Sequence, residues 1–186
     1  MVGRKSSDDD VRYGDNPKPG RKRSWRWLLR QMPLLFKQLM EMGQVPLSGG
    51  SLPSTRGVYL ISENGNNLYV GRAYRRGLRK RLEEHTKLTG RGGPQGSKPD
   101  PSTATLALHL FRHEHQAIYN FKDKDGKYRY NSLRKLSLHP VAMKYVKRVR
   151  NMDVRYVEIE DSDVQYLFEF YVAKHLKTPY NDFEAH

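Results

Sequence analysis

Two short apolar runs near residue 60 begin the most strongly patterned part of the chain. GVYLIS at 57–62 and NLYVG at 67–71 are rich in β-branched and aromatic residues, and the Asn64-Gly65 pair between them is a strong hairpin signal. Farther along, DVRYVEIE at 153–160 alternates apolar and polar residues, as strands do. The pattern therefore predicts a small antiparallel sheet of three strands.

Helical spacing of apolar residues surrounds these strands. A basic helix is predicted over 75–88, where Leu78 and Leu82 lie four positions apart on one face. Further helices are predicted over residues 103–118, 138–150 and 161–176. A small central antiparallel sheet flanked by helices defines an α+β fold.

The region before the first strand divides by composition. Residues 1–23 are charged and contain prolines, which predicts a flexible basic arm. Residues 24–42 have helical spacing, and Pro33 predicts either a kinked pair of helices or a helix that restarts at that proline. The Gly- and Pro-rich stretch 43–56 predicts a linker. We therefore expect an arm at 1–23, a helical extension with its linker at 24–50, and the main domain at 51–186.

The charge of the chain changes the range of expected partners. Lys and Arg number 34 against 20 Asp and Glu, so the formal net charge is +14. Such a surplus favours a polyanion, because each neutralised phosphate releases a counterion. RNA, DNA and an anionic membrane surface all satisfy this criterion. The chain has no cysteine, which excludes disulfides, and no secretory signal or long apolar run is visible, so we expect a cytoplasmic protein without a membrane partner.

Six basic residues crowd into the ten positions that follow Gly71. The run is either an ordinary solvated helix face or a surface that holds phosphate. A planar guanidinium binds and neutralises a phosphodiester well. Arg81 and His85 are four positions apart and share one helix face, so the histidine would sit where it can move a proton or orient a neighbour.

Glu169 is an unusual carboxylate because of its helical neighbours. At helical spacing these are mostly apolar or aromatic: Gln165, Tyr166, Val172, Ala173 and Leu176. The carboxylate therefore either extends to solvent or is partly buried with a partner or a metal ion. Mg²⁺ is commonly held by one or two carboxylates together with waters and substrate phosphate. One such carboxylate is enough for a metal ion that acts on nucleic acid.

Several short motifs, in order along the chain, resemble one known family. GVY at 57–59 and YVG at 69–71 are similar to the two strand motifs that name the GIY-YIG nucleases. The family continues with a helix of the form apolar-x-x-Arg-apolar-x-x-His or Tyr, and a later helix carries a metal-binding Glu followed by an Asn. The matching residues here are Leu78, Arg81, Leu82, His85, Glu169 and Asn181. The resemblance covers 57–88 and 153–186 and implies that 89–150 is a variable insertion.

The resemblance implies which residues form the active site: Tyr59, Tyr69, Arg81, His85, Glu169 and Asn181. It implies that Glu169 binds Mg²⁺ or another divalent cation such as Mn²⁺. Arg79 stands at the spacing found in several members and competes with Arg81 for the catalytic role. Arg81 is preferred because only it keeps Leu78 and Leu82 in register. The other basic residues are expected to contact the nucleic-acid backbone: Arg72, Arg75, Arg76, Arg79 and Lys80.

The implied activity is that of an endonuclease that hydrolyses nucleic-acid phosphodiesters, with DNA as the expected substrate in restriction, repair or a mobile element. The alternative is a catalytically inactive nucleic-acid-binding protein that retains the GIY-YIG fold. Either Tyr59 or Tyr69 would position or deprotonate the water, and the clustered arginines are expected to lower the phenol pKa. His85 is the alternative proton carrier.

The hairpin provides a structural test of this site. A plain two-residue turn at Asn64-Gly65 pairs Tyr59 with Val70 and puts the two tyrosines on opposite faces. A three-residue loop or a β-bulge pairs Ile61 with Tyr69 and brings both tyrosines to one face. We predict the odd loop or the bulge.

Overall fold

A four-stranded antiparallel sheet lies at the centre of the fold. The computed structural model describes residues 24–49, 51–86, 104–129 and 139–181. Within these ranges the chain forms, in order, α1 (Trp25–Glu41), β1 (Val45–Pro46), β2 (Gly57–Glu63), β3 (Asn66–Ala73), α2 (Gly77–His85), α3 (Thr105–Glu114), α4 (Gln116–Tyr119), α5 (Ala142–Arg150), β4 (Asp153–Glu158) and α6 (Ser162–Leu176). The predicted α+β class is confirmed. The arm at 1–23 and the stretch 89–102 lie outside the described residues.

The predicted number of strands is wrong by one, because the sheet has the order β1-β4-β2-β3. The additional strand, β1, lies in the stretch predicted to be a linker, and it pairs Val45 with Val154 and Pro46 with Asp153. Two residues are too few to show an alternating pattern. A proline is tolerated there because β1 is an edge strand, where one side of the backbone needs no ladder partner.

The β2–β3 hairpin combines a tight turn with a bulge. Asn64 and Gly65 both have positive φ, at 51° and 80°, as a two-residue type I′ turn requires. The register then shifts, so that Ser62 pairs with Asn67 but Ile61 pairs with Tyr69. This bulge places Tyr59 and Tyr69 on the same face of the sheet, which confirms the predicted register.

Each face of the sheet is covered by a different set of helices. Tyr59, Ile61 and Tyr69 point into a core that they share with α2, α3 and α5. The alternate residues of the same strands point into a second core, which they share with α1 and α6: Val58, Leu60 and Val70. Because β3 is an edge strand, groups on the two faces can meet around its outer side.

The helix α1 is continuous through Pro33, where we expected a kinked pair or a restart. Ser24 caps it by accepting a hydrogen bond from the Trp27 N–H at 3.2 Å. Its buried residues keep helical spacing on both sides of the proline: Leu28, Met32, Leu35 and Leu39. Tertiary packing of this apolar face against α6 therefore offsets the loss of one helical hydrogen bond.

The predicted helix over 103–118 is also wrong as a single element, because it divides at His115 into α3 and α4. His115 has φ −129° and ψ 54°, which interrupts the helical backbone. In the described parts of the chain, no helix is both long enough and apolar enough to span a membrane.

Candidate active site

Three side chains from three different elements meet on the α2 side of the sheet. Tyr59 comes from β2, Tyr69 from β3 and His85 from the last turn of α2. The Tyr59 hydroxyl and His85 Nε2 share a hydrogen bond of 2.7 Å. The imidazole ring stands edge-on to both phenol rings, with centroid separations of 5.6 Å to Tyr59 and 5.5 Å to Tyr69. The sequence motif therefore becomes a single packed aromatic cluster.

Gly71 makes room for this cluster. It pairs with Tyr59 across β2 and β3, so the two residues face the same side of the sheet. A Cβ atom added at Gly71 would lie 2.5 Å from Cζ of Tyr59, which no real contact permits. The glycine is needed here for space, because the tyrosine ring occupies the volume above its Cα.

Arg81 lies beside the two tyrosines. The turn into α2 fixes its position, since Gly77 adopts a φ of 72° and the Leu78 N–H donates to the Thr55 carbonyl at 2.8 Å. Leu78 and Leu82 are fully buried on either side of it. The Arg81 side chain donates a hydrogen bond to the tyrosine hydroxyls, which acts to lower the pKa of both.

Glu84 holds Arg81 from the other side. Its carboxylate accepts a hydrogen bond from Arg81 Nη1 at 3.2 Å, and it also pairs with Arg76. Burial acts to lower the pKa of Arg81, but the tyrosines and Glu84 raise it by more, so its pKa is raised overall. Glu84 was missed by the sequence analysis, although its spacing of three from Arg81 was a usable signal.

The competing residue, Arg79, lies elsewhere. Its Nε donates to the Leu52 carbonyl at 2.9 Å, which ties α2 to the preceding segment. The structure thus places Arg81 at the tyrosines and Arg79 in a backbone contact. The difference follows from the helical register that Leu78 and Leu82 impose on α2.

The expected effect of the arginines on the phenols is wrong in its net direction. Burial raises the pKa of Tyr59 well above its usual value, and the neighbouring Tyr69 raises it further; Arg81 offsets only part of this. Burial likewise raises the pKa of Tyr69, against a smaller lowering by Arg81. Both tyrosines are therefore neutral hydroxyls at physiological pH.

His85 is also held neutral. Burial, followed by the positive charge of Arg81, lowers its pKa well below the ordinary value. Its Nδ1 is buried and has no hydrogen-bond partner among the described residues. A neutral imidazole in contact with a tyrosine hydroxyl can exchange a proton with it. In one tautomer Nε2 accepts a hydrogen bond from the Tyr59 hydroxyl, and in the other it donates one to it.

Glu169 approaches the tyrosines from the helix α6, which packs on the other face of the sheet. It forms an ion pair with Arg72 of β3, with Nε 3.0 Å from Oε2, and its side chain is 16% exposed. Burial raises its pKa to about 7, against lowering by Arg72 and Arg81. The charge of Glu169 in turn raises the pKa of Tyr59 and Tyr69, so the acid and the phenols belong to one electrostatic site.

Glu169 offers a divalent cation a single carboxylate, which is paired with Arg72 in this structure. Among the described residues, no group of three or more His, Cys, Asp or Glu side chains could bind a metal ion. A single carboxylate is nevertheless compatible with Mg²⁺ or Mn²⁺, which retain waters and take phosphate oxygens from the substrate. Glu169 is the residue that would hold such an ion.

Asn181 differs from the other predicted site residues, because its side-chain amide binds the backbone of Val70. The Val70 N–H donates to its Oδ1 at 2.7 Å, and its Nδ2 donates to the Val70 carbonyl at 2.7 Å. Thr178 also donates to its Oδ1, at 2.8 Å. Val70 lies on the edge strand β3, so the amide replaces a missing strand partner and fixes the segment after α6 against the sheet.

The predicted backbone-contact residues divide into three groups. Arg75 and Lys80 are exposed, as a phosphate contact requires. Arg76 and Arg79 are engaged with Glu84 and with the Leu52 carbonyl. Arg72 is paired with Glu169, and its guanidinium also lies over the ring of Tyr166, 4.7 Å from the centroid. The sequence pattern placed Tyr166 only as a helical neighbour of Glu169, and its contact with Arg72 was not predicted.

The chain was compared with models of protein families, with curated proteins and with solved structures. No family model, curated protein or solved structure matches it.

Proposed function

We propose that the protein is a divalent-cation-dependent endonuclease of the GIY-YIG type, which hydrolyses phosphodiester bonds of DNA. One observation carries the proposal: Arg81, both tyrosines, His85 and Glu169 form a single electrostatically coupled site. These residues come from four elements, β2, β3, α2 and α6, which span more than a hundred positions of the sequence. A merely structural cluster does not require a half-buried arginine, a neutral histidine and a carboxylate with a raised pKa at one point.

Arg81 supplies the main electrostatic contribution of the chain to the reaction. Its guanidinium is half-buried and held by Glu84, so little reorganisation is needed when charge develops on the phosphate. A divalent cation held by Glu169 would polarise the scissile phosphate and stabilise the leaving oxygen.

Tyr59 and His85 are the proposed route for the proton of the attacking water. Their 2.7 Å hydrogen bond lets the Tyr59 hydroxyl accept that proton while it passes its own proton to Nε2 of the neutral imidazole. The route avoids a free phenolate, which burial disfavours, but it requires a protonated His85, whose pKa burial and Arg81 lower. Tyr69 packs against both residues and orients the hydroxyl.

A second candidate function follows from the Arg72–Glu169 ion pair. In this arrangement an arginine occupies the carboxylate that a metal ion would need. That contact favours a catalytically inactive nucleic-acid-binding protein. We rank it second because the Tyr59–His85 pair has no evident use in simple binding.

A cleavage assay distinguishes between the two candidate functions. Supercoiled plasmid, single-stranded DNA and RNA are incubated with Mg²⁺ or EDTA, using the intact chain, Glu169→Gln and Arg81→Ala. Matched controls are Glu160→Gln and Arg26→Ala, which change an exposed residue of the same type. We expect cleavage of DNA that needs Mg²⁺ and is lost in both site variants alone. Cleavage in EDTA or by Glu169→Gln would overturn the proposed mechanism, and binding without cleavage would favour the second candidate.

A further inference from the structure

The outer edge of α6 carries two exposed aromatic rings beside the candidate active site. Tyr166 is 64% exposed and Phe170, one turn later, is 43% exposed. Glu169 lies between them in sequence, and Arg72 contacts both Glu169 and the Tyr166 ring. The Tyr166 ring therefore shares Arg72 as a contact with the carboxylate that is proposed to bind the metal ion.

Each ring is accompanied by a cation. The Arg72 guanidinium lies 4.7 Å from the centroid of Tyr166, and Lys174 Nζ lies 5.6 Å from that of Phe170. Such pairs keep long cationic side chains in place over aromatic faces. The edge of α6 thus combines flat apolar surfaces with positive charge.

A pocket extends this edge toward the end of the helix. It has a volume of about 250 Å³ and is lined by Ala173, Lys174, Lys177, Thr178 and Asn181. The two lysines supply ammonium groups, and Asn181 retains one N–H beyond the one that it gives to Val70. This set of donors suits an anion with several oxygen atoms, such as a phosphate group.

The spacing of the rings favours unpaired nucleotides over a duplex. Residues four apart on a helix are separated by about 6 Å along its axis. Stacked bases within one strand of a duplex are separated by only about 3.4 Å. Tyr166 and Phe170 therefore match bases that have moved apart from one another, as they do when a single strand stacks on aromatic side chains.

We propose that this edge of α6 binds a single-stranded segment of nucleic acid, with bases on Tyr166 and Phe170 and phosphates at Lys174 and Lys177. The inference rests on the proposed function and makes it more specific. The substrate would carry unpaired nucleotides next to the scissile phosphate, as at a flap, a branch or a single-stranded region.

Binding in EDTA tests this surface without cleavage. The probes are a fluorescein-labelled oligo(dT), an abasic oligonucleotide of equal length and a duplex hairpin, followed by fluorescence anisotropy. The test variant is Tyr166→Leu/Phe170→Leu. Its matched control is Phe121→Leu/Tyr128→Leu, since these residues are 49% and 45% exposed and Lys122 lies over the Tyr128 ring at 4.7 Å. Thermal unfolding of both variants checks that they are folded.

We expect the intact protein to bind oligo(dT) at least about tenfold more tightly than the abasic strand, because the abasic strand loses both base–aromatic stacks. The test variant should lose at least about tenfold in affinity for oligo(dT), and the control should lose none. Equal binding of the two strands by the intact protein, or unchanged binding by the folded test variant, would overturn the proposal.

The salt dependence of binding tests the two lysines separately from the rings. Lys174→Gln/Lys177→Gln should make the dependence of oligo(dT) affinity on salt shallower by roughly 0.7 per lysine on a log–log plot. An unchanged slope would remove the lysines from the binding surface.

Failure of this inference is distinct from failure of the proposed function. If the protein discriminates oligo(dT) from the abasic strand but cleaves nothing with Mg²⁺, the surface stands and the nuclease proposal fails. If it cleaves duplex DNA with Mg²⁺ but Tyr166→Leu/Phe170→Leu binds oligo(dT) normally, only the surface fails.

Discussion

The ring of Tyr59 lies over Gly71, its partner across the β2–β3 ladder, and fills the space that a side chain at Gly71 would need. The hydroxyl of Tyr59 shares a hydrogen bond with Nε2 of His85. Position 71 therefore controls whether the tyrosine can reach the histidine.

Gly71→Ala should displace the Tyr59 ring and lower the free energy of unfolding by about 1–3 kcal/mol, as overpacking does. Cleavage should fall at the same time, because the Tyr59–His85 hydrogen bond would be broken. Urea unfolding and a plasmid assay measure the two effects. Gly43→Ala is the matched control, since a Cβ there would meet nothing within 4 Å. Equal stability of the two variants would show that the ring has room to move.

His85 should make the protein sensitive to acid. Its folded pKa lies well below its unfolded value, so only the unfolded chain takes up this proton when the pH first falls below about 6.5. The stability contribution is full above that pH and declines toward the folded pKa, by at most about 1.4 kcal/mol per pH unit. His85→Gln should remove this decline relative to the intact protein in urea unfolding across pH. His113→Gln, which changes an exposed histidine, is the matched control.

Glu169 should have the opposite pH dependence. Its folded pKa is raised to about 7, so the folded protein keeps this proton where the unfolded chain has lost it. The stability contribution is present at pH below about 4.5 and is lost as the pH rises through about 7. The free energy of unfolding of Glu169→Gln, relative to the intact protein, should therefore increase with pH across this window. Glu160→Gln, which changes an exposed glutamate, is the matched control. A flat line for Glu169→Gln would mean that folding does not raise the pKa of this carboxyl.

Arg72 should compete with a metal ion for Glu169. Arg72→Gln removes the ion pair, so Mn²⁺ should bind at least about tenfold more tightly in calorimetry without nucleic acid. The measurement belongs at about pH 8.5, because loss of Arg72 also raises the pKa of Glu169, and ionisation must be complete in both proteins. Arg75→Gln, an exposed neighbour, is the control. Equal Mn²⁺ affinity in Arg72→Gln and the intact protein would place the metal ion elsewhere.

Much of the framework follows from local sequence patterns. The alternation of GVYLIS and NLYVG, the Asn64-Gly65 turn and the requirement that both tyrosines share a face together predicted the bulged register. The helical register of Leu78 and Leu82 was enough to distinguish Arg81 from Arg79. These features depend on neighbours within a few residues, whose periodicity the sequence displays directly.

Other features depend on contacts that no local pattern records. β1 exists because β4 offers it an edge, and α1 continues through Pro33 because its buried face packs against α6. The net pKa shifts of the tyrosines were predicted in the wrong direction, since adjacent arginines are visible in the sequence whereas desolvation is not. The sequence by itself determined which residues line each face of the elements. Only the tertiary structure decided that Arg72 meets Glu169 and that Asn181 completes the edge of β3, because these pairs join residues about a hundred positions apart through burial and folding of the chain.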